Sequence, residues 1–520
     1  MKKQFILFIK SGLLMVACLT GMEAAAQGIS PAAMEQLKMK RLWFQSQNAA
    51  GTVFDDTQNY SNVILGYDLQ DGNFARPQEG QKESTIGVSS EGFINLGNAY
   101  VWGSFNFSQE NLSDAGYNAS IADPFRRMPY YVADLHHSDW RNQYYDLKFR
   151  ASTPLIGNHW AFGIEGNYVS TLAAKQRDPR VDTRFYTLEL TPGVTYKLND
   201  SHKFGLNVKY ASIKEDSEME CVNIYVDQDY YVMYGLGTSI HYLGEGVTTN
   251  YIGDRIGAAF QYNFSTPTFN LLFEASYDER AETVESSYKT PKKVFGVKDK
   301  TMQFALIAVK ETENFTNYAK ASFISQDMDG IQYISQRDNS ESQSGWVDLH
   351  QNIRSTYKNQ YASFNYALSK NRGNEYSWKA EVGVNYAKQD DEYLMPKSVQ
   401  NAENLTFSLA FKKNFELGNE MNRRLLLDIH GAYNNNIGGE YDYNGSHADY
   451  VTVTELHQGL TNYYTSDYYQ IGGSLTYSQQ IKEDARMNFF GKLAFDRKNN
   501  KSDFDFDGRS YMTVSLGCNF

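Results

Sequence analysis

A regular two-residue alternation of apolar and polar side chains runs through most of this 520-residue sequence. Near the C-terminus the apolar positions are Met512, Val514, Leu516, Cys518 and Phe520. Successive side chains of a β-strand point to opposite faces, so this period predicts a strand with one apolar face. Comparable segments recur about eighteen times, each roughly 9 to 15 residues long, which is the length that crosses a bilayer at a tilt.

Short and long connections alternate between these segments. The short ones, such as Leu198 to His202 and Asn371 to Glu375, carry the glycine, asparagine and aspartate of tight reversals. The long ones span Ser108 to Arg141, Lys214 to Ile252, Asp327 to Ser355 and Asn435 to Asp467. This asymmetry is typical of periplasmic turns and external loops. We predict an all-β fold over residues 61–520, a transmembrane antiparallel up-and-down β-barrel of about 18 strands, or 16 if weak segments merge.

Composition excludes other classes of protein. The chain has 49 Lys and Arg against 61 Asp and Glu, a net charge of −12, and no basic stripe, which argues against a nucleic-acid partner. Its mean hydropathy is −0.55, and no uncharged apolar run of about 20 residues lies beyond the N-terminus. A helical multi-span membrane protein is therefore excluded. Low mean hydropathy does not exclude a membrane β-barrel, because half of the side chains of its strands face the lumen.

Residues 1–26 resemble a cleaved secretory signal peptide. Two lysines precede a mostly apolar stretch, and Ala24 to Ala26 supply the small residues of a cleavage site. A lipidated Cys18 is the weaker alternative. Residues 27–60 are then a predicted periplasmic segment, in which Ser30 to Gln47 has apolar residues at loose helical spacing. We predict a short helix there that enters the lumen as a filler.

The end of the chain resembles a known assembly signal. Outer-membrane barrels present a last strand with alternating apolar residues and a C-terminal Phe to the barrel-assembly machinery, and Val514, Leu516 and Phe520 match this pattern. The whole chain also resembles a family of exported outer-membrane barrels of unknown function, often encoded beside TonB-dependent uptake systems, through Gly66 to Asp68 and Asn73 to Gly80. The resemblance implies the outer membrane of a Gram-negative bacterium. Its implied partners are outer-membrane lipid and lipopolysaccharide, the barrel-assembly machinery and a TonB-dependent transporter complex.

Charged residues on the predicted inward face are candidates to line the lumen. Mixed charge suits a water-filled diffusion channel, where such groups stay hydrated and tune selectivity. It suits equally a plugged lumen in which the same groups pair across strands. The candidate pore-lining residues are Lys148, Arg150, Glu165, Glu189, Lys197, Lys209, Glu274, Lys379, Glu381, Asp428, His430 and Lys492.

Two clusters raise the question of catalysis or metal binding. Asp428 and His430 are two residues apart and so point the same way from one strand, but no Ser or Cys nucleophile is tied to them. A polar pair in the lumen is the preferred interpretation. His136 and His137 lie in a loop and lack the further ligands that a metal ion requires. We predict no enzymatic activity, no cofactor and no metal site.

Taken together, the sequence favours a porin-like outer-membrane channel, or an accessory barrel of an uptake system, for small polar solutes. Inward charges and long Tyr-rich loops such as Tyr225 to Tyr242 would set its selectivity. The first alternative is a surface ligand-binding or adhesion barrel with a plugged lumen. The second is an outer-membrane barrel hydrolase acting on lipid or peptide, which requires a third group beside Asp428 and His430.

Overall fold

Strands dominate this computed structural model, which describes residues 29–223, 225–226, 228–286, 290–340, 343–418, 422–480 and 487–520. The predicted signal peptide lies outside these residues. In chain order the strands are β1 (Tyr60–Asp71), β2 (Lys82–Asn95), β3 (Tyr100–Ala115), β4 (Val132–Asp134), β5 (Ser138–Ser152), β6 (Trp160–Lys175), β7 (Arg180–Lys197), β8 (His202–Glu220), β9 (Asp229–Gly235), β10 (Thr238–Leu243), β11 (Val247–Ser265), β12 (Phe269–Ser286), β13 (Lys292–Glu311), β14 (Phe315–Ser340), β15 (Gln343–Arg372), β16 (Glu375–Leu394), β17 (Lys397–Gly418), β18 (Arg423–Asp442), β19 (Tyr468–Gln480), β20 (Asn488–Asn500) and β21 (Gly508–Asn519).

Eighteen of these strands close into one antiparallel barrel within the described residues. Each strand pairs with its neighbours in sequence, with β4, β9 and β10 left out, and β1 closes the ring by pairing with both β2 and β21. The register between first and last strands runs from Asn62 opposite Asn519 to Asp71 opposite Ser510. The predicted closed up-and-down barrel of about 18 strands is confirmed.

An apolar belt covers the outside of the barrel. Leu206, Ile256, Leu409, Leu493 and Leu516 lie on strands spread around the ring, and each is more than half exposed. Exposed apolar surface of this extent is stable in hydrocarbon and prone to association in water. Their inward-facing neighbours on the same strands are polar or small, as expected for a strand with one face in lipid. The barrel therefore spans a membrane with its strands.

One predicted loop is a long hairpin. The sequence predicts an irregular connection from Asp327 to Ser355, but β14 and β15 continue through it and pair with each other as far as Ser340 and Gln343. Above Gln332, β13 no longer pairs with β14, so the hairpin rises beyond its neighbours as a two-stranded ribbon. The prediction was wrong here because both faces of this ribbon lie in water, which removes the apolar alternation.

Three external loops fold inward and pack in the barrel mouth. β4, β9 and β10 form a separate three-stranded sheet. Their apolar side chains, with those of the loop between β3 and β4, bury against the inner wall. A hydrogen bond of 3.1 Å from the Tyr251 hydroxyl to the Tyr130 carbonyl oxygen joins that loop to β11. The third loop contains a π-helical turn (Thr452–His457) that continues into a helix at Gln458–Tyr464. The external half of the lumen thus has its own apolar core.

Residues 29–59, here called the N-terminal segment, occupy the periplasmic half of the lumen. Helix α1 (Pro31–Lys40) begins after Ser30, whose Oγ accepts a hydrogen bond from the Ala33 amide at 3.2 Å. Two 3₁₀ turns follow, at Trp43–Gln45 and Ala49–Phe54. The segment bonds to β5, β11, β12, β16 and β17, which lie around the whole ring, so it is inside the barrel. The helix Gln458–Tyr464 is called α2. Among the described residues, no helix is both long and apolar enough to cross a membrane.

Candidate functional site

The strongest electrostatic contact between the N-terminal segment and the barrel is made by Glu35 of α1. Its carboxylate pairs with Lys379 of β16 and with Lys412 of β17, the latter at 2.9 Å. The Tyr376 hydroxyl donates a hydrogen bond to its other oxygen at 2.7 Å. Burial raises the pKa of Glu35, but the two lysines outweigh burial and lower the pKa to about 2. Glu35 is therefore a fixed negative charge bound to two neighbouring strands.

The start of α1 is held at the periplasmic rim by Glu375. This carboxylate is buried and accepts a hydrogen bond from the Ser30 hydroxyl at 2.7 Å. It also pairs with Arg372 and Arg424, each at 2.8 Å, and accepts from the Asn414 amide at 3.0 Å. The residue that caps the helix is thus part of a charged network that belongs to the barrel wall.

On the opposite wall, Arg150 of β5 binds the backbone of the segment. Its guanidinium donates to the carbonyl oxygens of Phe44 and Ser46, both at 2.7 Å. The same group pairs with Glu165 of β6 at 2.6 Å. A planar guanidinium suits such a fork of acceptors, since its donors have fixed directions. Arg150 therefore supports the turn after α1.

Polar side chains continue this contact along β11 and β12. The fully buried Asn48 donates to Gln261 of β11 at 3.0 Å, and the Gln47 amide donates to Glu274 of β12 at 2.9 Å. Gln261 donates in turn to Glu274 at 2.9 Å. This part of the contact surface is a hydrogen-bonded polar network, in which water can replace each partner when the two parts separate. Beside it, Leu42 and Trp43 of the segment are fully buried in an apolar cluster with Leu272, Ile307 and Val309 of the wall.

Three glycines make room for the segment on neighbouring strands. We call Gly163 of β6, Gly193 of β7 and Gly205 of β8 the glycine groove. A Cβ on Gly163 would lie 2.4 Å from the Ala50 nitrogen, and one on Gly193 would lie 2.3 Å from Asn48 Oδ1. Neither distance is compatible with a side chain, so the close approach of the second 3₁₀ turn requires glycine there.

Two cavities lie one above the other on the β15–β17 side of the lumen. The inner cavity, of about 560 Å³, lies against the N-terminal segment and is lined by Glu35, Phe44, Gln45, Tyr366, Lys379 and His430, among others. The external cavity, of about 330 Å³, lies under the inserted loops and is lined by residues such as Asn359, Tyr361, Gln389, Asp391 and Gln400. Asn365, which lines the inner cavity, and Asn385 on the neighbouring strand are exposed on the inward face.

The predicted pore-lining residues occupy the inward-facing register of their strands, and most have partners. Lys209 pairs with Asp278 at 3.3 Å, and Lys148 with Asp146 at 3.5 Å. Lys197 lies at the periplasmic end of β7, where it pairs with the exposed Asp200 at 2.6 Å. The other predicted pore-lining residues on the inward face are Arg150, Glu165, Glu189, Glu274, Lys379, Glu381, Asp428, His430 and Lys492. Arg150 and Lys209 pair across strands, whereas Lys148 pairs within its own strand and Lys197 pairs with the turn that follows it.

His430 lies between two carboxylates. Its Nδ1 is 3.3 Å from Asp428 Oδ1, and its Nε2 is 2.7 Å from Asp496 Oδ1. The third group beside the predicted pair is therefore another carboxylate. Since both ring nitrogens face acceptors, neither is free to take a proton from a nucleophile. The arrangement is that of a charged lumenal cluster at the edge of the inner cavity.

The two loop histidines face different carboxylates. His136 Nδ1 is 4.0 Å from Asp134, which also binds the buried Lys175, whereas His137 Nδ1 is 3.4 Å from Asp114. In the part of the chain that the structure describes, no group of three or more His, Cys, Asp or Glu side chains is placed to hold a metal ion.

The inserted loops are anchored by a buried ion network. Arg126 pairs with Glu215 of β8 and with Glu282 of β12, both at 2.8 Å. Glu282 pairs with Arg280 at 3.4 Å, and Arg280 reaches Asp299 of β13 at 3.3 Å. Both glutamates are fully buried, so the network fixes the loop between β3 and β4 to three strands of the wall.

The predicted assembly residues lie on the strand that closes the barrel. Leu516 points outward and is 63% exposed, and Val514 shares its face. Phe520 follows β21 and exchanges two backbone hydrogen bonds with Ser61, of 2.6 and 3.0 Å. The apolar stripe therefore faces lipid at the seam.

Several residues that hold the N-terminal segment were missed in the sequence. Glu375 and Lys412 carry no local signal, because their importance depends on partners hundreds of residues away. Glu35 did carry one, since it is the single acidic residue between Ser30 and Gln47. A lone carboxylate in a basic stretch indicates an external partner.

Solved structures with a similar outline are outer-membrane proteins. BauA, the ferric preacinetobactin receptor from Acinetobacter baumannii, is 7% identical, with a TM-score of 0.41 over 89% of this chain and 80% of that chain. OpdK from Pseudomonas aeruginosa, solved with vanillate, is 10% identical, with a TM-score of 0.35 over 89% and 99%. The ferripyoverdine receptor of the outer membrane of Pseudomonas aeruginosa is 9% identical, with a TM-score of 0.40 over 89% and 72%.

No curated protein matches the sequence. A family match covers residues 49–520, that is, the second 3₁₀ turn of the N-terminal segment and the whole barrel. The chain therefore belongs to DUF6850, a family of unknown function.

Proposed function

We propose that this protein is an outer-membrane channel for small polar solutes that its own N-terminal segment closes from the periplasmic side. The closed transmembrane barrel with an apolar belt supports a location in the outer membrane, because single-chain barrels of this type belong there. Both ends of the barrel, near Tyr60 and Phe520, lie on one side, which in this arrangement is the periplasm.

The observation that carries the proposal is the polar contact between the segment and the wall. Glu35, Arg150 and Asn48 hold the segment through ion pairs and hydrogen bonds. Such contacts exchange with water at small net cost, typically about 1 kcal/mol each, whereas an apolar contact loses its full transfer free energy. Leu42 and Trp43 also pack on apolar residues of the wall, so release of the segment costs their transfer free energy as well. The polar contacts are the part of the interface that a change of charge can weaken while the barrel stays folded.

The two cavities mark the route of the solute. The inner cavity ends at α1 and the first 3₁₀ turn, so withdrawal of the segment opens it to the periplasm. Asn365, Asn385 and Tyr361 continue the polar wall toward the external cavity. Hydrogen-bonding side chains with mixed charge along this wall suit polar solutes.

The proposal includes the processing and partners that the sequence predicts. Residues 1–26 are the signal peptide, 27–60 the periplasmic segment and 61–520 the barrel. The barrel-assembly machinery would recognise the last strand, lipopolysaccharide and lipid would surround the belt, and a TonB-dependent transporter complex would be a partner in uptake.

Single-channel conductance in planar bilayers tests the proposal. Glu35→Lys places a third positive charge beside Lys379 and Lys412, so we expect the open probability to rise at least about tenfold over the native protein. Glu313→Lys, in an exposed periplasmic turn, is the matched control and should behave as native. A variant lacking residues 27–59 should conduct continuously.

Silence of both Glu35→Lys and the deletion variant, with the barrel folded, would overturn the channel. It would favour the second candidate, a surface ligand-binding barrel, for which the loops that fill the external mouth are the supporting observation. Free conductance of the native protein would instead overturn the role of the segment as the closure.

A further inference from the structure

A carboxylate that lines the external cavity has one buried oxygen without a partner. Asp391 of β16 lines this cavity and is 8% exposed. Its Oδ2 accepts a hydrogen bond from the Gln389 side chain, whereas Oδ1 accepts none within the described structure. Burying an acceptor without a donor is unfavourable, and nearly all such groups in proteins are satisfied. The atom therefore indicates a ligand that brings a donor.

A guanidinium from the loop between β3 and β4 reaches the same cavity. Arg127 also lines it, and its Nη2 donates a hydrogen bond to the Tyr361 hydroxyl. No ion pair of Arg127 occurs among the residues that the structure describes. The adjacent Arg126 is committed to the buried ion network. Arg127 has a φ of 59°, a left-handed conformation that is unfavourable for residues other than glycine. The two consecutive arginines thus serve different partners.

The remaining lining is largely aromatic, and the Tyr357 hydroxyl in it is buried without a hydrogen-bond partner in the described structure. Arg76, the other guanidinium of the cavity, pairs with Glu79 at 3.0 Å, and His457 is within 3.0 Å of Gln400. Tyrosine rings contributed by β15 and α2 form much of the wall, with Phe125 and Leu460. The volume, about 330 Å³, is at the lower end for small-molecule sites.

We infer that the external cavity binds a small zwitterion, an amino acid or a short peptide, with its ammonium group on Asp391 and its carboxylate on Arg127. The ammonium group supplies the donor that Asp391 Oδ1 lacks. The carboxylate gives Arg127 the bidentate acceptor that a tyrosine hydroxyl cannot provide. Apolar or aromatic side chains of the ligand then pack on the tyrosine wall.

Both charges are needed to account for the cavity. A simple anion would leave Asp391 unsatisfied and add repulsion, and a simple cation would do the same to Arg127. A neutral sugar could stack on tyrosine and offer hydroxyl groups, but it would bring no opposite charge to either Asp391 or Arg127. The inference deepens the proposed function, since it names the solute class, and it rests on that function for its role in uptake. Binding itself is measured without conductance.

Isothermal titration of the full-length mature protein in detergent tests the site. The probes are alanyl-alanine, its N-acetylated form, its C-terminal amide and maltose. Alanyl-alanine should bind, and blocking either end should weaken binding at least about tenfold, because each block removes one charge-assisted contact. These comparisons use the native protein and need no variant.

Two variants assign the ends of the peptide. Asp391→Asn should weaken alanyl-alanine at least about tenfold and show no further loss with the N-acetylated probe. Arg127→Gln should likewise weaken the binding of alanyl-alanine at least about tenfold and show no further loss with the C-terminal amide. Asp390→Asn is the control, since Asp390 is the next residue on β16, is exposed, and pairs with Lys388 at 3.3 Å.

The inference is overturned if alanyl-alanine fails to bind, if the blocked peptides bind as well as the free one, or if maltose alone binds. Equal affinities of Asp391→Asn and Asp390→Asn would also overturn it. Binding by a protein that never conducts would leave the zwitterion site standing and remove the channel, so the two failures are distinguishable.

Discussion

Glu35 and Lys412 are 377 residues apart in the chain and 2.9 Å apart in the lumen. The pair joins α1, which precedes the first strand, to β17, which comes late in the chain. Lys379 on the next strand binds the same carboxylate, so one side chain of the N-terminal segment connects two strands. Closure of the lumen therefore depends on charge as well as on shape.

Acid should release the N-terminal segment. The pKa of Glu35 is about 2 when docked, against an ordinary value of 4.5. Between these values the released segment holds a proton that the docked segment does not, so docking weakens as pH falls from about 4.5 to 2 and is unchanged above that window. The total loss is about 2 kcal/mol, allowing for partial exposure of the side chain.

Hydrogen exchange of residues 31–54, corrected for the intrinsic rate, measures this release. In Glu35→Gln the protection of this segment from exchange should not fall as pH is lowered through this window, because no proton is taken up at that position. An equally steep slope in the variant would assign the acid response to other groups.

A side chain in the glycine groove should displace the segment. Gly193→Val places its Cβ within 2.3 Å of Asn48 Oδ1, which the docked second 3₁₀ turn cannot accommodate. We expect faster exchange in residues 49–54 and a higher open probability, with the barrel intact. Gly66→Val is the control, since a Cβ there has no heavy atom within 4 Å. Unchanged exchange in Gly193→Val would mean that the turn does not depend on this contact.

Removing Arg126 should free the inserted loop. Arg126→Met leaves Glu215 and Glu282 buried without their shared partner, which costs about 3–5 kcal/mol. Protection from exchange should fall across residues 116–137, and heat stability should drop. Arg180→Met, which breaks an exposed pair with Asp178, should change stability by less than about 0.5 kcal/mol. Similar effects of the two variants would exclude a special role for the buried network.

The terminal aromatic ring should matter for assembly. Phe520→Ala keeps the backbone hydrogen bonds to Ser61 and removes only the ring. We expect a smaller fraction of heat-modifiable, folded protein in the outer membrane. Phe495→Ala removes an outward, more exposed ring from β20 and serves as the control. If both variants assemble equally, the C-terminal position carries no special signal.

The barrel was predictable because each membrane strand has one face in lipid. Met512, Val514 and Leu516 show the period directly, and repetition of this period predicts about 18 strands, or 16 if weak segments merge. The ribbon above Gln332 was missed since water contacts both of its faces. The inserted sheet of β4, β9 and β10 was also missed, because short strands buried by tyrosines do not alternate in the same way.

The inward direction of the charged side chains was predictable from the same two-residue period, but their partners were not. Arg150 lies next to the outward Phe149, so its direction was predictable. Its binding to the Phe44 carbonyl depends on where the N-terminal segment docks, which no local pattern encodes. The same holds for Gly193. In the sequence this glycine only weakens the strand pattern, and its steric role becomes visible when Asn48 is found against it. Asp391 is a further case, because its missing partner appears only when the cavity is formed.

The N-terminal segment continues directly into β1 at Tyr60. After release it remains tethered to the barrel it closes, at an effective concentration on the order of millimolar for a short flexible linker. Reclosure is then a unimolecular event that is independent of protein concentration and requires no second protein. The chain itself would then set the duration of each opening.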